Sequence, residues 1–340
     1  MYAETANDPL VETPEIADIP VIDVAPLLAG EPGATGQVAA GLRAACDGMG
    51  FFFISGHGVA PAVVERAFDA SRRFFALPDA VKATVRMNRH QCGWMAPGIS
   101  VHRDTFETRA DALRPQTSQA FKFTWDLDPS DPDYGKGIRF RGHNQWPDPA
   151  HAPGLREAFL DFHATFEALA LRLLAPLAVS LGLPADGFAP HFDRPSSMTR
   201  IACYPPVPDR ADRVNTPGHR DLGFLTLIPP ATMPGLEILT PDERWIAQPV
   251  LPDAILVNTG VTLQRWTNDR YVATPHRVRA DAAETRYSNI FFLYPRVDAV
   301  VAALPTCTGP DNPPRYPAET FGEIHAAYCA RNFAYAEGID

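Results

Sequence analysis

Three side chains of the C-terminal half carry a metal-binding pattern: His219-x-Asp221 and, further on, His276, followed by Arg286-x-Ser288. Two imidazoles and one carboxylate are the donors of the 2-His-1-carboxylate facial triad, which grips Fe(II) by one face and leaves the opposite positions open. The mixture suits a redox-active divalent iron, because imidazole is an intermediate donor and the single carboxylate offsets part of the charge. Residues i and i+2 point to one side of a β-strand, so the spacing predicts that His219 and Asp221 share a strand. HxD alone says little, since the chain also contains His102-x-Asp104 and His191-x-Asp193. The first sits in a charged stretch without strand alternation, and the second lies between Pro190 and Pro195. Only His219 leads into an apolar β-prone run, Gly223–Ile228, that ends at a Pro-Pro turn.

A metal with three protein ligands has three positions to spare. A 2-oxo acid fills two of them through its carboxylate and keto oxygen, leaving one for O2. Its far carboxylate then needs a cation and a hydroxyl at the end of the cavity. Arg286 and Ser288 match this need, because on a strand they face the same way and guanidinium is the best bidentate partner for a carboxylate. Without an anion to meet it, Arg286 would be a costly charge inside the apolar run Tyr287–Leu293. Tyr204 is a candidate third donor to the same carboxylate. Phe292, on the same strand face as Arg286, is expected to line the cavity above the metal.

Positioning these residues requires a β-rich C-terminal half. Short β-runs are predicted near Met198–Tyr204, Gly223–Ile228, Gly235–Leu239, Ala254–Asn258, His276–Ala280 and Arg286–Leu293. Closely spaced strands with proline-rich turns between them suggest a jelly roll. Upstream, strands are predicted at Ile19–Val24 and Phe51–Ile54, and helices at Val38–Asp47 and Val63–Phe75. The stretch from Asn88 to Asp148 reads as long loops around a strand near Phe121–Trp125. On that strand Phe123 and Trp125 share a face and are expected to wall the substrate pocket. Lys122, with Arg103, Arg109 and Arg114, could meet an acidic substrate, although charged loop residues are more often simply solvated. A long helix is predicted from Leu155 to about Leu181, closed by Gly182, and a last one near Glu319–Arg331. The expected organisation is a loose segment over 1–17, an N-terminal helix and strand region over 18–150, a β core over 151–300 and a C-terminal loop and helix over 301–340.

The bulk properties narrow the function classes. With 340 residues, 46% of them hydrophobic, the chain can bury a sizeable core. A net charge of −10 argues against nucleic acid as a partner. Five scattered cysteines without CxxC read as free thiols of a reducing compartment. The start is acidic and has no signal-peptide core, and the apolar stretch Leu169–Leu183 is interrupted by Arg172 and Pro176. The expectation is a cytoplasmic monomer or weak homo-oligomer acting on a small molecule, away from membranes.

Read together, the motifs resemble the isopenicillin N synthase-like branch of the non-haem iron, 2-oxoglutarate-dependent oxygenases, over roughly 18–295. The N-terminal half carries Ile19-Pro-Val-Ile-Asp-Val24, Gly50-Phe-Phe-Phe-Ile-Ser-Gly-His-Gly58, Ser71-Arg-Arg-Phe-Phe-Ala-Leu-Pro78 and Cys92-Gly-Trp-Met-Ala-Pro-Gly98. The C-terminal half carries Tyr204-Pro-Pro, His219-x-Asp221, Leu263-Gln-Arg-Trp-Thr-Asn268, Thr274-Pro-His276-Arg-Val278 and Arg286-x-Ser288. The resemblance implies a mainly β fold, a double-stranded β-helix (jelly roll) with flanking helices. It also implies Fe(II) on His219, Asp221 and His276, with 2-oxoglutarate and O2 as cosubstrates. The implied reaction oxidises an unactivated C–H bond by hydroxylation, desaturation or ring formation, with release of succinate and CO2. An oxidase of the same fold, with Arg286 and Ser288 on the substrate's own carboxylate, is the alternative, and a non-catalytic metal binder a remoter one. The chain departs from the family at Ala202, often asparagine, at Val261, usually aspartate, and at Pro229–Pro234, usually a shorter polar turn.

Overall fold

A computed structural model of the protein describes residues 19–100, 117–206, 214–279 and 283–333. The strands fall at β1 Val21–Asp23, β2 Phe51–Ser55, β3 Gly93–Met95, β4 Gln119–Phe123, β5 Met198–Tyr204 and β6 Val214–His219. They continue with β7 Leu225–Ile228, β8 Leu236–Leu239, β9 Trp245–Ala247, β10 Ile255–Thr259, β11 His276–Arg279 and β12 Arg286–Leu293. One eight-stranded sheet runs β1-β2-β10-β7-β12-β5-β4-β3, and a four-stranded sheet runs β6-β11-β8-β9. Apart from the parallel β1–β2 pair, the pairings within both sheets are antiparallel.

The two sheets face each other, which makes the core a jelly roll. Between them lie Phe51, Phe53, Tyr204, Ile228 and Leu256 of the large sheet against Leu236, Ile238, Ile246 and Val278 of the small one. The other face of the large sheet is covered by helices Ala34–Asp47, Pro61–Phe75, Leu155–Arg172 and Leu174–Ser180, whose apolar stripes form the remaining core. Strands from both halves of the sequence share the large sheet, so the N-terminal region builds the wall of the β core and does not stand apart from it.

Two predicted elements differ in instructive ways. The long helix is broken at Leu173 into two pieces. Pro176 explains the break: it has no N–H to give Arg172, and its ring crowds that carbonyl. Taken together, Leu155–Ser180 is long and apolar enough to cross a membrane, but most of it is buried inside the protein, as expected of a core helix. A strand carrying His219 was expected, but its course back from there to Val214, sequence VNTPGH (β6), was not anticipated. It lies at the edge of the small sheet, where Pro217 can go without a ladder bond. Strands β3 and β9 were also not anticipated; each is three residues long. The final helix is Phe321–Asn332, opened by a capping box in which Thr320 and Glu323 satisfy each other's backbone N–H groups. The segment 1–17, the pair His102-x-Asp104 and the residues Arg103, Arg109 and Arg114 lie outside the described residues.

Candidate metal centre and active site

His219 ends β6 and stands directly opposite His276 at the start of β11. Asp221 is not on the strand with His219, as its spacing had predicted. It sits just beyond, where the chain leaves the small sheet for β7 of the large one. One nitrogen of each histidine and one carboxylate oxygen lie within 4.8 Å of one another. Asp221 Oδ1 is 3.8 Å from His219 Nε2 and 3.6 Å from His276 Nε2.

The surroundings fix which atoms face inward. Each Nδ1 meets a backbone carbonyl, of Pro217 at 2.9 Å for His219 and of Thr274 at 3.2 Å for His276. A carbonyl only accepts, so both Nδ1 atoms donate and both Nε2 lone pairs are left for a metal. Phe51 supports His276 edge-on, with centroids 5.6 Å apart. Asp221 Oδ2 accepts from Thr226 Oγ1 at 2.6 Å and Asn258 Nδ2 at 2.9 Å, which leaves Oδ1 for the metal. Thr226 and Asn258 are themselves cross-strand partners on β7 and β10. The turn that carries Asp221 is pinned by the start of the short helix Val261–Trp266: Val261 N–H donates to Asp221 O and Thr262 N–H to Leu222 O. Gly260 makes this approach possible, since a Cβ there would collide with the carbonyl of Gly223.

Electrostatics favour the deprotonated donors that a metal needs. Burial, helped by the neighbouring His276, pushes the His219 imidazole down to about 4. Burial would raise the Asp221 carboxyl, but His276, His219 and the bonds from Thr226 and Asn258 outweigh it and hold the group below its usual range. A neutral imidazole beside a charged carboxylate fits Fe(II). Because the grip of Thr226 orients the carboxylate, Thr226→Val is expected to weaken Fe(II) binding roughly 10–100-fold. Metal titration of the folded variant against the native protein measures it; equal affinity would show that Asp221 needs no such support.

Two cavities meet at this cluster. One, about 30 Å3, is lined by Tyr204, Thr226, His276, Arg286, Ser288 and Ile290. The other, about 60 Å3, is lined by Gln91, Met95, Lys122, Met198, Tyr294 and His325, with Tyr328 and Phe333 of the C-terminal segment. Both include Arg200, His219, Asp221 and Phe292, so the candidate metal position is their junction.

Arg286 and Tyr204 are direct cross-strand partners, and the guanidinium lies 5.1 Å from the centre of the Tyr204 ring. Arg286 is 4% exposed; its Nε donates to Met233 O, and its Nη1 is buried without a partner. Burial is the main influence on this group and disfavours its charge. Other buried arginines are answered by acids: Arg277 shares Glu237 with the half-buried Arg279, and Arg141 spans Asp131 and Asp133. Arg286 has no acid among the described residues.

Residues 19–149 match the family described as non-haem dioxygenase in morphine synthesis N-terminal, and residues 195–295 match the 2OG-Fe(II) oxygenase superfamily. The chain is 30% identical to the 2-oxoglutarate-Fe(II) type oxidoreductase hxnY of Emericella nidulans, over 94% of this chain and 91% of that one. It belongs to the 2OG-Fe(II) oxygenase superfamily. Among solved structures, a 2OG-Fe(II) oxygenase family protein from Caulobacter crescentus superposes with a TM-score of 0.78 at 26% identity, covering 91% of this chain and 97% of that one. JOX2 in complex with 2OG, Fe and JA superposes with a TM-score of 0.73 at 26% identity, covering 92% and 85%. As a member of this superfamily the protein is an Fe(II)- and 2-oxoglutarate-dependent oxidoreductase.

The structure places two other sequence-predicted residues away from the oxygenase cavities. Phe123 faces the helices, stacked on Phe159 at 5.2 Å and packed against Trp146. Trp125 lies past the end of β4, its indole donating to Glu167 Oε1 at 2.5 Å. The register of β4 is the reason: Ala120 and Lys122 take the cavity face and Phe121 and Phe123 the other. Lys122 is a buried wall residue, not a solvated loop charge. Phe292 does line both cavities. His191 and Asp193 do not meet: His191 packs near Trp266, and Asp193 pairs with Arg296. Thr226, Asn258 and Arg200 were missed as site residues. Their signal was a polar side chain inside an apolar β-run, with Arg200 on the same alternation as Tyr204.

Proposed function

We propose that His219, Asp221 and His276 hold the Fe(II), and that Arg286, Ser288 and Tyr204 seat the far carboxylate of 2-oxoglutarate in the smaller cavity. The larger cavity then receives a small molecule whose unactivated C–H bond is oxidised. The observation that carries this reading is Arg286: a buried guanidinium with an unpartnered nitrogen, aimed at a cavity that ends on the metal cluster. Such a group is costly unless an anion completes it.

When bound, iron and 2-oxoglutarate supply O2 activation coupled to decarboxylation of the oxo acid. The chain supplies the geometry. Ser288, two residues from Arg286 on β12 and 1% exposed, offers a hydroxyl on the same wall. Ala202 is opposite Ser288 on β5 and packs in the apolar core between the sheets. Phe292 stands where the cavities meet and keeps the junction apolar on one side. Membership of the superfamily supports the use of 2-oxoglutarate over the oxidase alternative.

Metal substitution tests the reading. Metal-stripped protein is expected to recover succinate formation with Fe(II) and ascorbate, and Zn2+ is expected to compete without supporting it, because Zn2+ has no accessible redox chemistry. Turnover with Zn2+ alone would overturn the proposal.

A further inference from the structure

With Arg286 assigned to the cosubstrate, two further cations of the active site have no acid to answer them among the described residues. Lys122 on β4 and Arg200 on β5 are directly opposite each other in an antiparallel pair, and both line the larger cavity. Directly opposed side chains sit about 4.5–5.5 Å apart at Cβ, and like charges there destabilise a sheet. Lys122 is 8% exposed, its Nζ donates to Gln91 Oε1 at 3.2 Å, and it lies 4.4 Å from the centre of the Phe333 ring. Neither cation has a carboxylate partner among the described residues. The one carboxylate in the described lining is Asp221, whose Oδ2 accepts from Thr226 and Asn258 and whose Oδ1 belongs to the metal cluster.

Gln91 adds a neutral donor. Its backbone is held at φ 66°, a region unusual for a residue other than glycine, and its Nε2 is buried without a partner. Strain of this kind persists where the surroundings over-determine it, and it clusters at ligand sites. His325 also lines the cavity, but burial and the nearby Lys122 keep its imidazole pKa well below the usual value, so it adds no third charge. Much of the remaining wall is apolar or aromatic, with Met95, Met198, Leu222, Phe292 and Tyr294, and Ser100 adds a hydroxyl.

We propose that the larger cavity recognises its substrate through a carboxylate seated between Lys122, Arg200 and the amide of Gln91, so that the enzyme oxidises a small organic acid with an apolar body. The proposal rests on the seats assigned above to iron and 2-oxoglutarate, and it names the class of substrate for that same site. Guanidinium supplies the bidentate fork for a carboxylate, and Lys122 a second, point-like charge. Burial, and then Arg200, push the Lys122 amine down to about 7. Facing it are Arg200 from β5, Gln91 and Cys92 from the turn before β3, and His325 and Cys329 from the C-terminal helix. Below that value the amine is charged and attracts the acid; as pH rises through it the attraction fades, so acid binding weakens.

Anaerobic calorimetry on the Fe(II)/2-oxoglutarate complex, with butyrate and hexanoate against their primary amides, tests this. The wild type is expected to prefer each acid over its amide by at least tenfold, and the preference is expected to decline between pH 6 and 8.5. Lys122→Met is expected to abolish it and Lys122→Arg to retain it. Thermal melting verifies folding, and Arg200→Met carries the same comparison should Lys122→Met not fold. Equal binding of acid and amide by the wild type, an unchanged preference in the methionine variant, or tighter binding of butylphosphonate than of either acid would overturn the proposal. The visible charge-transfer band of the iron complex separates the two failures: loss of the acid preference with the band intact defeats this inference alone, and absence of the band defeats the cosubstrate seat.

Discussion

Asp221→Ala is expected to lose succinate formation beyond detection while remaining folded. The loss should far exceed the roughly 10–100-fold that follows when an outer partner of a metal ligand is removed. Among the described residues Asp221 is one of three donors within reach of the site, and the one that carries charge. Its removal also leaves the Thr226 hydroxyl and the Asn258 amide buried without their shared acceptor, at about 1–3 kcal/mol for each unsatisfied group. A lower melting temperature should therefore accompany the lost activity. Asp221→Asn, which keeps the shape and an acceptor oxygen but not the charge, should regain stability without regaining iron. Iron content, melting and succinate release measured on the three proteins separate these effects. Full activity in Asp221→Ala with stoichiometric iron would end the assignment.

The second large effect belongs to Arg286. Anaerobic addition of 2-oxoglutarate to the Fe(II) protein is expected to raise a charge-transfer band in the visible. Arg286→Ala should weaken that binding by about 3–5 kcal/mol, the usual penalty for removing one partner of a buried charged pair, or about two to four orders of magnitude. Arg286→Lys should restore a fraction, because an ammonium cannot reproduce the planar fork. Because Nη1 has no partner in the ligand-free protein, that state is expected to tolerate the loss better than the complex. If the wild type showed no band and consumed O2 without releasing succinate, the clamp would serve a substrate carboxylate and the oxidase alternative would hold.

Much of this site was readable from residue types, because strands announce themselves by alternation. The period of two put Arg286, Ser288 and Phe292 on one face of β12, and in the structure all three line the smaller cavity. What alternation does not reveal is which face turns inward, since a shift of one residue exchanges the two sides. That is why Phe123 and Trp125 looked like pocket walls and Lys122 like a solvated charge. The deciding contact is the pairing of β4 with β5, and those strands are far apart in sequence. The course of β6 before His219 was hidden for a different reason. Pro217 has no N–H to give a ladder, and only its position at a sheet edge makes a proline acceptable there. The grip of Thr226 and Asn258 on Asp221 was likewise illegible, because it depends on where the chain crosses between sheets.

That edge has a thermodynamic consequence. Strand β6 has one neighbour in its sheet, β11, and their register is irregular after the His219–His276 pair. A marginally paired edge is the sort of element that opens locally at little cost. A metal bridging His219 to His276 would act as a rivet across this one seam, binding the closed form and not the open one. By mass action, each tenfold excess of free iron over its dissociation constant then adds about 1.4 kcal/mol to the closed state. Cofactor affinity and the order of the edge strand are therefore two readings of one equilibrium. Scarce iron is then expected to weaken the pairing of this edge as well as the reactive centre.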